Sequence, residues 1–266
     1  MNKIAAIYGP TTSNKLGLAL NLAKYVWGKY QLEPEVVNVD SRKIYQGFIV
    51  SQSLPTDIFL QKVKTHLFGT VSPKNKLDLY EFQKLVLEKI AEIQARGNLP
   101  ILIGSSTIHL LAILQEWEKD KKRIFKKLPD NILVLGLTVN KPSLKKAVKD
   151  NVVRMFRNGL YEEFKNLYQQ SQKGEVSLKL LEETLGYRQF IEMAKVSEKS
   201  PENLNKKDLI KIKAWLIKDI INYAYHQTLG YKKFSGIKFV KDFKEARRII
   251  DLFILPQKSG LRKQKD

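Results

Sequence analysis

An apolar run that stops at Gly9-Pro10 and gives way within six residues to a helix-like pattern constrains this chain more than any other feature. Residues 3–8 (KIAAIY) read as a buried strand, and residues 9–16 (GPTTSNKL) as a loop. Residues 16–27 then read as a helix with Leu18, Leu22 and Val26 on one face. Strand, glycine-led loop and helix make up a phosphate-binding loop, GxxxxGK[ST]. Its backbone N–H groups and helix N-terminus cradle phosphate, its lysine adds a point charge and its hydroxyl holds magnesium. Gly9 and Lys15 stand at the required spacing, with Asn14 at the second glycine and Leu16 at the hydroxyl. Asparagine tolerates left-handed backbone angles, so the loop shape can survive. Leucine cannot ligate a metal. On spacing alone, phosphate binding by Gly9, Pro10, Thr11, Thr12, Ser13, Asn14 and Lys15 stands beside a plain strand–turn–helix capped by Thr12 or Ser13.

The pattern repeats. Residues 36–39 form a second β-branched run ending at Asp40-Ser41, and residues 77–95 a long amphipathic helix stopped by Gly97. Residues 100–104 (PILIG) and 132–138 (ILVLGLT) are further strands, with a helical stretch over 106–117 between them. Strands alternating with helices imply a parallel sheet covered on both faces, hence an α/β class. Beyond Asn140, residues 143–157, 160–170, 177–194 and 206–229 carry helical periodicity, followed by a short strand near 237–240 and a helix near 241–254. The expected division is an α/β core over 1–140, a helical part over 141–256 and a basic flexible tail over 257–266.

Charge points to the partner. Forty-seven Lys and Arg against 27 Asp and Glu give +20, which favours a polyanionic partner: nucleic acid, an anionic membrane surface or phosphorylated substrates. A lysine-rich solvated surface is the plainer explanation. Residues 119–127 hold six basic residues to one acid, and residues 205–266 hold 16 to 6. Tyr223, Tyr225, Tyr231 and Phe234 interleave with the latter as stacking or core residues, a pattern suited to RNA. The absence of cysteine excludes a thiolate metal site and a cysteine nucleophile. His66, His109 and His226 are too scattered to propose zinc. No apolar run reaches about 18 residues, and MNKIAAIYGP is too short for a signal peptide, so a cytoplasmic protein without a membrane span is expected.

Three further segments fall at strand ends or beside a glycine. Asp40-Ser41-Arg42 ends the second strand, on the edge where open α/β sheets bind ligands; there a carboxylate serves as a general base, a metal ligand or a simple turn residue. Gly104-Ser105-Ser106-Thr107 ends the third, as hydroxyl donors to a ligand or as a helix cap. In Gly186-Tyr187-Arg188-Gln189, the arginine can clamp phosphate or lie on the surface.

In order, these segments resemble the tRNA dimethylallyltransferase family. GPTTSNKL matches its GPTxSGKT at Gly9, Pro10, Thr11, Ser13 and Lys15. Residues 40–56 (DSRKIYQGFIVSQSLPT) match a DSRQVYxGMDIGTxKPT-like segment, and residues 65–69 (THLFG) stand for HHLID. Residues 79–83 fall in a YxxxEFQ-like helix, and residues 97–109 (GNLPILIGSSTIH) match GxLPILVGGTGLY. A GLTxxRxxLxxxIxxRVxxMxxxGLxxEV pattern runs over 136–164, GYRQ over 186–189, and YAxRQxTW becomes YAYHQTLGY over 223–231.

The resemblance implies a P-loop NTPase-like parallel sheet flanked by helices, with a mainly helical C-terminal half. It also implies transfer of a dimethylallyl group from dimethylallyl diphosphate to N6 of the adenine beside the anticodon in the tRNA anticodon stem-loop, with Mg2+ as cofactor; a monomer is expected. In these terms residues 9–15 hold the diphosphate, Asp40 takes the N6 proton, Ser106 contacts the reacting centre and Arg188 meets the diphosphate. Asp40, Ser41, Arg42, Lys43 and Ser106 read the tRNA. The metal ligands are not identified. Asn14, Ser105 and Thr107 stand where the family has glycines, Leu16 at its hydroxyl, Gly69 at an aspartate and His109 at a tyrosine. Tyr225 and His226 replace two basic residues. Residues 115–131 are a remnant of the family's long tRNA-embracing insertion. The other readings are an adenylate isopentenyltransferase acting on a free nucleotide and an RNA-binding homologue that has lost catalysis.

Overall fold

The computed structural model describes residues 3–53, 63–106, 109–110, 112–114, 128–231 and 236–255. The basic run over 119–127, Thr107, the end of the 40–56 segment and the tail lie outside them. Six strands form one sheet: β1 (Ile4–Tyr8), β2 (Pro34–Asn38), β3 (Thr65–His66), β4 (Leu99–Gly104), β5 (Ile132–Leu137) and β6 (Lys238–Val240). Their order is β3-β2-β4-β1-β5-β6, and every pairing is parallel. The helices are α1 (Lys15–Tyr30), α2 (Leu79–Ala95), α3 (Lys141–Arg157), α4 (Leu160–Gln172), α5 (Leu178–Glu183), α6 (Tyr187–Val196), α7 (Lys206–Tyr231) and α8 (Phe243–Ile254).

All five residues of β1 are fully buried, as a parallel strand covered on both faces must be. Its side chains alternate between two cores. Ala5 and Ile7 join Leu18, Ala19, Leu22 and Val26 of α1 and Ile250 of α8. Ile4, Ala6 and Tyr8 join α2 and the helical half. On α2 the buried stripe is Phe82, Val86, Ile90 and Ile93, each worth about 1.5–3 kcal/mol over the exposed state. The N-terminus of α2 is closed by a capping box: Asp78 accepts from Glu81 N, and Glu81 accepts from Asp78 N. At the N-terminal edge of the sheet, fully buried Glu35 accepts hydrogen bonds from Arg96 and Asn98 and meets His66 Nε2 at 2.6 Å. That network ties β2, β3 and the entry to β4.

Two expectations are corrected in detail. The periodicity over 177–194 resolves into α5 and α6, because Gly186 turns the chain at φ 104°, which favours glycine. Gln189 accepts from Gly186 N at 2.8 Å and starts the second helix. β3 was not anticipated; two residues are too short to show a period.

Candidate active site

Four strand ends meet at the C-terminal edge of the sheet, and the phosphate-loop candidate leaves the central one. Gly9 makes the close turn possible, since a Cβ there would stand 2.6 Å from Ser13 Oγ and 2.9 Å from Leu137 Cβ. Thr12 and Asn14 both take left-handed angles, φ 64° and 58°. The loop shape therefore survives replacement of its second glycine by Asn14. Asn14 ends the loop without a side-chain cap on α1, and its amide lies over Gly17, where a Cβ would come within 2.5 Å of Oδ1. Leu16 packs against the α1 core. Among the described residues, Thr12 Oγ1 and Ser13 Oγ are buried without a hydrogen-bond partner, so two loop hydroxyls are open to a ligand.

Lys15 folds back over the loop, with Nζ donating to Gly9 O at 3.0 Å and Pro10 O at 2.8 Å. Burial, and then the charge of Lys43, push its ammonium down to about 7, while Asp40 pulls the other way. Lys43 is also held low by burial, opposed by Asp40. The three charges are thus within Coulombic reach of one another.

Asp40 sits just past β2, on a turn templated by fully buried Asn38. Asn38 Oδ1 accepts from Asp40 N, and its Nδ2 donates to Asp40 O and Leu67 O. Asp40 Oδ1 accepts from Arg42 N at 3.1 Å, and among the described residues no donor meets Oδ2. Ser41 completes the turn. Arg42 Nη2 is held at 2.8 Å by Glu183 of α5, which also takes Lys76, and these cations keep the Glu183 carboxyl down at about 2. From the end of β4, Ser106 Oγ accepts from His109 N at 3.4 Å and its carbonyl accepts from Leu110 N, so both of its oxygens are engaged by the chain just beyond. Gly104 lets these strand ends close up, because a Cβ there would stand 2.6 Å from Tyr8 OH.

Arg188 is engaged by two carboxylates. Its Nη2 donates to Asp219 at 2.9 Å and its Nε lies 3.8 Å from Glu192. Asp219 belongs to α7, whose same face carries Tyr223 and Gln227 at successive four-residue steps. Gln227 Oε1 accepts from Thr11 N at 2.8 Å, and burial and the charge of Asp40 raise the Tyr223 phenol. One helix face therefore spans about 12 Å, from the Arg188 partner to the phosphate-loop candidate. Gln227 was not singled out from sequence; its only signal was its place in the YAYHQ match.

The comparisons with known proteins decide the family. The model of the family described as IPP transferase matches residues 43–128 and 114–233. The chain belongs to the IPP transferase family. Among curated relatives, a tRNA dimethylallyltransferase of Oenococcus oeni is 26% identical over 238 residues, covering 86% of this chain and 85% of that protein. One from Roseiflexus sp. is 37% identical over 118 residues, which is 44% of this chain and 37% of that protein. The fold is shared with a solved full-length tRNA isopentenylpyrophosphate transferase of Bacillus halodurans, at TM-score 0.76, 20% identity and 96% coverage of both chains. A solved eukaryotic dimethylallyltransferase acting on tRNA gives TM-score 0.72 and 17% identity, over 93% of this chain and 77% of that one. The IPP transferase assignment agrees with the P-loop NTPase-like sheet. No helix among the described residues is long and apolar enough to cross a membrane.

Proposed function

We propose that this chain transfers a dimethylallyl group from dimethylallyl diphosphate to N6 of the adenine at position 37, beside the anticodon of a tRNA. The observation that carries the reading is the placement of an acceptor carboxylate, Asp40, within Coulombic reach of a half-buried loop lysine, Lys15, at one sheet edge of an IPP transferase.

The diphosphate lies along residues 9–15, where Thr12 Oγ1 and Ser13 Oγ have donors to spare and the loop N–H groups form an anion-binding concavity. The adenine is read by the turn of Ser41, Arg42 and Lys43, with Ser106 at its far side. N6 attacks C1 of the dimethylallyl group, the C1–O bond breaks and its electron pair leaves on the diphosphate. Asp40 Oδ2 takes the N6 proton as the amine becomes alkylated. Lys15 and Lys43 stabilise the charge that grows on the leaving group, more strongly here than in water because they are desolvated. Arg188 is fixed by Asp219 at the other end of the α7 face, and reaches the diphosphate by leaving that partner.

The donor set fits magnesium in one way. Among the described residues no group of three or more His, Cys, Asp or Glu could hold a metal, and Leu16 offers no oxygen. Magnesium commonly keeps its waters and is held by one or two carboxylates plus substrate phosphates; the diphosphate would hold it directly, with Asp40 meeting one of its waters. When bound, the ion neutralises charge on the leaving group.

The test is a transfer assay with labelled dimethylallyl diphosphate, offering an anticodon stem-loop with adenine at position 37 and free AMP in parallel. Label on the stem-loop is expected. Label on AMP alone would make the protein an adenylate isopentenyltransferase, and label on neither would refute the enzyme reading.

A further inference from the structure

The stretch after the Asp40 turn has no regular secondary structure, yet one carboxylate from the helical half holds it. Glu163, in the first turn of α4, accepts from Ile49 N at 2.8 Å and Val50 N at 2.6 Å on Oε2. On Oε1 it accepts from Ser51 N at 2.9 Å and from the Tyr187 hydroxyl at 2.5 Å. Ser51 Oγ in turn donates to the Tyr187 oxygen at 2.8 Å. Four donors on one carboxylate, one of them from a fully buried tyrosine, fix three consecutive peptide units. The approach is close: Gly47, at φ 81°, would place a Cβ 3.2 Å from Leu167 of α4, and Phe48 packs edge-on to Tyr187 at 5.3 Å. The next carbonyl along the chain, Gln52 O, accepts from Lys43 Nζ at 2.6 Å. An unbroken series of contacts thus runs from Glu163 through the backbone of 49–52 to the ammonium that shares its field with Lys15 and Asp40.

We infer that Glu163 is a positioning residue for the transfer reaction, holding the 49–52 backbone so that Lys43 presents its ammonium beside Asp40 and the diphosphate. The inference rests on the proposed function, and it assigns to α4 a task at a site that α4 does not touch. A carboxylate is required because it accepts on both oxygens. A glutamine of the same size leaves either the Ile49 and Val50 amides or the Ser51 and Tyr187 donors facing an NH2 group.

The experiment compares wild type, E163Q, K43M, the double variant and the milder Y187F, which removes one donor only. Amide hydrogen exchange over 49–51, kcat and KM for transfer to the stem-loop, and calorimetric binding of inorganic pyrophosphate are measured on each. In E163Q, exchange over 49–51 is expected to quicken at least about tenfold. Its kcat should fall about tenfold or more while KM for the stem-loop changes less than about threefold. Adding K43M should cost little more than K43M alone, because both changes act through one ammonium. Y187F should shift exchange and kcat in the same direction by less. E163Q that lowers melting temperature but leaves kcat intact would overturn the inference, as would losses that multiply in the double variant. Should wild type transfer nothing, the proposed function fails first. Pyrophosphate affinity then still decides this inference, with non-additive loss in E163Q and K43M supporting it and independent losses refuting it.

Discussion

Burial gives Lys15 a measurable proton-linked signature. Its ammonium, ordinarily near 10.5, is held at about 7 in the free protein, so at pH 8 roughly 0.9 of the molecules carry a neutral amine there. A bound diphosphate places several negative oxygens beside the group and drives its pKa back up. Binding at pH 8 should therefore take up about 0.9 of a proton, and binding at pH 6 about 0.1. Calorimetry of dimethylallyl diphosphate binding, in buffers of different ionisation enthalpy, reads the number directly. K15M serves as the reference that subtracts the ligand's own titration. Folding is linked to the same group. The native state binds fewer protons than the unfolded state between pH 7 and 10.5, so the Lys15 contribution makes stability rise with pH across that window, by up to about 1.4 kcal/mol per unit. Equal proton uptake in wild type and K15M at pH 8 would refute the argument.

Asp40→Asn keeps the acceptor for Arg42 N but not the base, and should cut transfer by about 10²–10⁴ with stem-loop affinity unchanged; single-turnover kinetics and a binding titration check both halves. The Glu183 carboxyl, held at about 2 by Lys76 and Arg42, contributes stability that is complete above its unfolded value near 4.5. That contribution is lost as pH falls through 2. The melting-temperature gap between wild type and E183Q should accordingly be flat above pH 5 and close below it. With a net charge of +20, stem-loop binding should weaken with salt at a log–log slope steeper than about −2, equivalent to three or more neutralised phosphates. A slope near zero would remove the electrostatic account.

The parts of the fold readable in advance were those whose residues report their own environment. The apolar runs that became β1, β4 and β5 are buried on both faces, and the α1 and α2 stripes meet the two cores that sheet alternation creates. The turn at Asp40 was placed at a strand end by the residues that end the run. What escaped was set by contacts distant in sequence. Glu163 looks like any acid in the first turn of a helix until Ile49, Val50 and Ser51 fold onto it, and Gln227 is one more polar residue until Thr11 N meets it. The partners of Arg188, Asp219 and Glu192, are likewise residues whose proximity to it depends on how α6 and α7 pack. The split between α5 and α6 was legible in principle, since Gly186 interrupts a helical period.

The sixth strand changes what the helical half can do mechanically. The chain leaves the sheet at Leu137 and returns at Lys238, pairing Leu135 with Lys238 and Leu137 with Val240 on neighbouring strands. It then locks α8 across α1 through Tyr25, Tyr30 and Lys29 on Asp251. Helices α3–α7 are therefore a loop excursion anchored at both ends, not an arm hung from one. Such an excursion is rooted in the sheet at two points, and the bond from Thr11 N to Gln227 ties its α7 face to residues 9–15. Cutting the chain after α7 would expose the edge of β5 and release that restraint together.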